Sequence, residues 1–155
     1  MTQFSLIPSD EATELADDIH RLFDELSRTL PREHRVFSGQ CHPPLDVLET
    51  ENVLEISVDV AGVPVEALRV LYRAGVVLIV GEKAPPAGNS ELTYHLVERE
   101  FGRFARAVRL DGAFNAAAAK ATFRDGELVI VLPKIVERRG SAQRIPVTIA
   151  TEPRA

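Results

Sequence analysis

The chain has one cysteine, one methionine and no tryptophan among its 155 residues. Cys41 has no second thiol to pair with, so no internal disulfide holds the fold, and neither a Cys-x-x-Cys redox pair nor a cysteine-rich zinc cage can form. No apolar run approaches the ~20 residues needed to cross a membrane, and the first residues lack the basic-then-apolar order of a secretory leader. A cytoplasmic protein without membrane association is expected. Positive charge is also scarce: 18 Lys and Arg stand against 23 Asp and Glu, a formal net charge of −5. A phosphate-binding surface needs a local excess of cations, so a nucleic-acid partner is not expected. The one basic segment, Lys134, Arg138, Arg139 and Arg144 against Glu137, reads as a solubilising linker.

Catalytic constellations are equally thin. Cys41-His42 pairs a thiol with an imidazole, which elsewhere makes a nucleophile or a zinc site. Here the two sit beside Pro43-Pro44, and adjacent side chains on an extended segment point apart. His20, His34 and His95 show no ligand spacing. Ser57, Ser90 and Ser141 have no nucleophile-elbow context, and no glycine-rich phosphate loop is present. The chain is not expected to be an enzyme or to take a cofactor, metal, nucleotide or small-molecule substrate.

What is present divides the chain into residues 1–43, 44–134 and 135–155. The first part opens on Phe4, Leu6 and Ile7 before Pro8. Ser9 or Asp10 can cap a helix, with Glu11 and Glu14 near its positive end. Leu15, Ile19, Leu22, Phe23, Leu26 and Leu30 then recur at spacings of three and four, and Pro31 ends the pattern. The other face carries Asp17, Asp18, Arg21, Asp24, Glu25 and Arg28, so this is an amphipathic helix whose stripe needs an apolar cover. The cover is either its own domain or other subunits and unfolded clients.

From Pro44 the period changes to two. Leu54, Ile56, Val58 and Val60 alternate with polar residues, and short strands follow at Leu68–Tyr72, Val76–Gly81, Phe104–Leu110, Lys120–Phe123 and Leu128–Leu132. Ala61-Gly62, Ala74-Gly75, Asp111-Gly112 and Asp125-Gly126 supply turns. In the last hairpin, Ala121 and Phe123 share one face with Leu128, Ile130 and Leu132, and Pro133 is expected to stop the ladder. Many short strands without intervening helices predict an all-β antiparallel sandwich of the immunoglobulin-like kind. Between Gly81 and Gly102 lies a connection of about twenty residues, long for a compact domain. Leu92, Tyr94 and Leu96 alternate with Thr93, His95 and Val97 in it, predicting a projecting strand that needs a second sheet edge.

These residues resemble the alpha-crystallin domain of small heat-shock proteins. Pro44–Glu49 is similar to that family's opening strand, Val60-Ala61-Gly62-Val63 to its Leu-Pro-Gly turn, and Glu98-Arg99-x-x-Gly102-x-Phe104-x-Arg106 and the Ala121–Leu128 hairpin to its closing strands. Ala61 and Asp111 stand where the family usually has proline. Arg144-Ile145-Pro146-Val147 resembles the family's Ile-x-Ile tail anchor, with Val147 and Ile149 as an overlapping second pair. The resemblance implies an ATP-independent holdase that binds partly unfolded proteins, built from dimers that assemble further. Ile145 and Val147 would enter a neighbour's groove formed by Leu68, Val70, Leu71, Tyr72, Ala121 and Phe123. Leu92, Tyr94, Leu96 and Arg106 would join dimers, and Phe4, Leu6, Ile7, Leu15, Ile19, Leu22, Phe23 and Leu26 would meet clients. Leu71 faces away from Leu68, Val70 and Tyr72 and needs a cover such as a partner's tail. An adaptor on the same sandwich, binding one defined protein, is the alternative.

Overall fold

Apolar residues at helical spacing, followed by apolar residues at alternate positions, produce two kinds of packing surface, and the computed structural model shows both. It describes residues 9–29, 41–85, 91–135 and 143–151. Helix α1 spans Ser9–Thr29. Leu30, Pro31 and the patch at Phe4, Leu6 and Ile7 lie outside the described residues.

Ten strands follow. They are β1 (Leu45–Glu49), β2 (Val53–Asp59), β3 (Leu68–Arg73), β4 (Val76–Lys83) and β5 (Gly102–Arg109), then β6 (Ala113–Phe114), β7 (Lys120–Arg124), β8 (Glu127–Ile135), β9 (Gln143–Ile145) and β10 (Val147–Ile149). One sheet runs β1-β2-β8-β7-β10 with β6 on β8, and the other runs β5-β4-β3-β9. Every pairing is antiparallel except β10 on β7. Between the sheets lies the main core, where Ile56, Val58, Val70, Val77, Ile79, Leu128, Ile130 and Leu132 are fully buried. This is the antiparallel sandwich that the alternating pattern predicts.

β4 differs from the other strands because both its faces are apolar and buried. Val77 and Ile79 point into the sandwich, while Leu78 and Val80 point outward into a second cluster with Leu71, Leu22 and Leu26. A continuous apolar run is the signature of a strand covered on both sides. Here the outer cover is α1.

Local chemistry sets the turns and one close contact. Ala74-Gly75 and Asp125-Gly126 both hold φ positive at their two residues, 49° and 80°, and 50° and 79°. This is the mirror-image turn whose twist matches a hairpin. In β4, Gly81 lies beneath the Phe104 ring: a Cβ there would stand 2.3 Å from the ring's Cζ and 2.9 Å from the Ala67 carbonyl. Pro133 does not stop its strand. The Pro133 carbonyl accepts from the Asn115 N–H at 2.8 Å, so the N–H that proline lacks would face the same side. β7 has already ended on that side, its last pair being Lys120 with Val131, and the Asn115 carbonyl opposite accepts from the Ala118 N–H at 3.1 Å, so the missing N–H leaves no acceptor there unpaired. Ala116–Ala118 forms a single 3-10 turn, capped by the Asn115 side chain accepting from the Ala118 N–H.

Candidate functional site

The candidate site is the sandwich edge bounded by β3 of one sheet and β7 of the other. A short extended segment fills it. β9 pairs with β3, Ile145 opposite Val70 and Gln143 opposite Tyr72. The chain then crosses at Pro146 to the other sheet, where β10 pairs with β7, Val147 opposite Ala121 and Ile149 opposite Phe123. Proline suits the crossing because it has no N–H to leave unpaired and its φ is already restricted. Ile145 is 2% exposed and joins the main core, and Val147 packs against it half-buried, but Ile149 is 64% exposed. Burial therefore falls from Ile145 to Ile149, and the inward pair is Ile145 and Val147.

The groove residues named from the sequence divide between two places. Val70, Tyr72, Ala121 and Phe123 are the register partners of the tail segment. Leu68 lies in the core and pairs with Gly81 on β4. Leu71 pairs with Arg144 through its backbone, but its side chain lies under α1 with Leu22 and Leu26. Its cover is thus the helix and not a tail, because alternate strand residues point to opposite faces. The tail occupying the edge is the chain's own 143–149 segment, whereas the resemblance puts a neighbour's tail there.

The apolar stripe of α1 rests on the outer face of β3 and β4. Leu22 and Leu26 are buried against Leu71, Leu78 and Val80, with Leu15, Ile19 and Phe23 partly buried around them. A rim of ion pairs fixes the helix. Arg73 Nη2 lies 3.3 Å from the Asp18 carboxylate, which is 3% exposed. Arg103 stacks its guanidinium 5.1 Å from the Phe23 ring, donates to Ser27 Oγ at 3.1 Å and pairs with Glu82. Glu25 links helix and tail: Arg144 donates to it twice, Nη1 to Oε2 at 2.7 Å and Nη2 to Oε1 at 2.8 Å. Arg69 Nε stands 3.7 Å from the same carboxylate. The Arg144 hydrogen bonds hold the Glu25 carboxyl below its ordinary value, against the opposing effect of burial, and Glu25 raises Arg144 in return. Composition of the helix did not reveal this bridge. The outward Leu78 and Val80, next to Leu71, were the sequence signal for a covered face.

In the single chain the connection before β5 has no partner edge. Among the described residues 91–101 no strand forms, and Leu92, Tyr94, Leu96 and Val97 are exposed at 60, 63, 74 and 63%. Without a second sheet edge the backbone there has no ladder to join. Arg106 donates to the Pro43 carbonyl at 2.7 Å, tying residues 41–44 along β5. Cys41 is half-buried there, and burial pushes its thiol above the ordinary value, with Lys83 opposing. Among the described residues no group of three His, Cys, Asp or Glu is placed to share a metal ion, and no helix is long and apolar enough to cross a membrane.

Residues 46–148, from β1 through most of β10, match the Hsp20/alpha crystallin family. Heat shock protein 16 of Schizosaccharomyces pombe is 28% identical over 127 residues, which cover 81% of this chain and 89% of that protein. The solved structure of heat shock protein 16.0 from Schizosaccharomyces pombe aligns with a TM-score of 0.60 at 28% identity, covering 67% of this chain and 96% of that one. A small heat-shock protein from Xylella fastidiosa, whose structure is described as revealing a distinct high order structure, aligns at 0.56 with 26% identity, over 75% and 94% of the two chains.

Proposed function

Because this chain belongs to the Hsp20/alpha crystallin family of small heat-shock chaperones, we propose that it is an ATP-independent holdase that captures partly unfolded proteins and limits their aggregation under stress. One observation carries the reading. Two segments cover apolar surfaces of the sandwich: α1, with Leu22 and Leu26 buried and Leu15, Ile19 and Phe23 partly buried on the outer sheet face, and the tail, with only Ile145 and Val147 at the sheet edge. Burying each large apolar side chain contributes roughly 1.5–3 kcal/mol before ordering costs. The tail, held by two such contacts, is worth at most about millimolar to tens of micromolar affinity. Such a segment exchanges, and each exchange uncovers surface that an unfolded chain can use.

In this proposal residues 1–43 are the client-binding arm, 44–134 the sandwich and 135–155 the tail. Tails seated in neighbours' edges would hold a larger assembly by avidity, since many weak anchors act together. The exposed Leu92, Tyr94 and Leu96 would gain a sheet edge from a second copy, with Arg106 nearby, making the dimer. The protein would act in the cytoplasm without nucleotide or cofactor.

Light scattering of a heat-labile enzyme, without nucleotide and with increasing amounts of this protein, tests the reading. Suppression near equimolar subunits is expected. Failure to suppress at any temperature, with the protein folded and oligomeric, would leave the adaptor reading in its place.

A further inference from the structure

The outer face of β3, β4 and β5 combines an apolar strip with a cationic rim. Leu71, Leu78 and Val80 form the strip. Arg69, Arg73 and Arg103 border it, and Arg144 joins them from the tail. On a chain of net charge −5, this is a local reversal of sign. The helix α1 answers it: Asp18 meets Arg73, and Glu25 meets Arg69 and Arg144. Those two acids are two helical turns apart, about 10.5 Å along the axis, so they recur on one side of the stripe.

The fit of α1 is incomplete. Asp18 is nearly fully buried, yet its Oδ1 makes only ion-pair contacts, 3.3 Å from Arg73 Nη2 and 3.6 Å from Arg21 Nη1, without a well-formed hydrogen bond, and such contacts offset less of a buried carboxylate's desolvation than hydrogen bonds would. A cleft also remains beside Leu15, lined by Leu71, Ala74, Val76 and Leu78. A helix seated this way is a cover that another helix of the same chemistry can replace. It also lies outside the family match, which begins at residue 46.

We propose that this face is a docking site for amphipathic client helices that carry acidic residues two turns apart beside an apolar stripe, and that α1 is its resident competitor, so that the arm leaves this face as it engages a client. The proposal rests on the holdase reading and names the client chemistry it selects. A helix with neutral or basic flanks would cover the leucines but leave Arg69 and Arg73 without a carboxylate.

The test uses the full chain with Leu22→Asp, which lifts α1 and leaves the sheet face intact. Asp18→Lys/Glu25→Lys is a second route that leaves the apolar residues untouched. The probes are two fluorescein-labelled peptides, one with the sequence of residues 9–29 and one with its Asp18 and Glu25 positions changed to Lys. By anisotropy, the acidic peptide should bind either variant at least tenfold tighter than it binds the parent protein, and tenfold tighter than the Lys peptide binds. It should also compete away client protection in light scattering, and adding Arg69→Glu/Arg73→Glu should reverse the peptide preference. Equal binding of the two peptides would overturn the proposal. So would selective binding that leaves client protection intact, because the site would then serve α1 of a second copy. Absence of protection by the parent protein and both variants is a different failure: it removes the holdase reading, and charge-selective binding would then assign the face to self-association and overturn the client assignment.

Discussion

Ile145→Ala separates a releasable anchor from a piece of the core. Ile145 is 2% exposed and counts among the buried residues between the sheets. If it were locked there, the change would leave a cavity costing about 2–5 kcal/mol, enough to lower Tm by roughly 5–15 °C in a domain of this size. The segment that carries it, however, is held by only three residue pairs on each side, and its far end at Ile149 is exposed. It can therefore undock without unfolding the sandwich. The loss is then the burial of one side chain, about 1.5–3 kcal/mol, which raises the undocked population about ten- to hundredfold. The expected result is faster hydrogen exchange by that factor at the amides of β9 and β10, with unchanged exchange in β2 and β8 and a Tm drop under about 3 °C. A fall in Tm of more than about 8 °C, with exchange accelerated equally in β2 and β8, would refute the releasable anchor.

The Glu25–Arg144 bridge should couple the arm to the tail. Both side chains are partly exposed, so the pair is worth no more than about 1 kcal/mol. Glu25→Arg or Arg144→Glu alone should each speed β9 exchange a few-fold, with the double swap restoring it at low salt. Because Arg144 holds the Glu25 carboxyl below its ordinary value of 4.5, this contribution is complete above that pH and is lost as pH falls through the lower folded value. Tail exchange corrected for its intrinsic pH dependence should be flat from pH 8 to about 5.5 and rise only in the acid range. Gly81→Ala places a Cβ against the Phe104 ring and the Ala67 carbonyl and should destabilise the sandwich by about 1–3 kcal/mol in denaturant melts, more if the ring cannot move. Cys41, whose thiol is pushed up by burial, should react with iodoacetamide at pH 8 several-fold more slowly than free glutathione.

The strands were legible in two ways: Leu54, Ile56 and Val58 alternate with Glu55 and Ser57 and so show their burial in the sequence itself, while β4, buried on both faces, shows as a continuous apolar run. The hairpin turns were legible because Asp125-Gly126 and Ala74-Gly75 meet a local steric demand. The helix was legible from its stripe, since a period of 3.6 needs no knowledge of what lies beneath it. The candidate edge was legible through resemblance and through the spacing of Ile145 and Val147.

Pairing between distant segments was not legible. Leu71 announced that it needed a cover but not which one. The choice between α1 and a tail depended on Leu78 and Val80 standing beside it on β4, and neighbourhood across strands is a property of the sheet. Pro133 looked like a terminator because its missing N–H is a local fact, while whether an acceptor waits for that N–H is set by the neighbouring segments. The alternation at Leu92, Tyr94 and Leu96 was real, yet a strand forms only when another edge accepts its backbone bonds. Glu25 and Arg144, 119 positions apart, show the division most plainly. Their charges stand in the sequence, but only the stacking of α1 and β9 on β3 brought them together. Local sterics and periodicity are written residue by residue, whereas contact between far segments depends on the free energy of the whole packed chain.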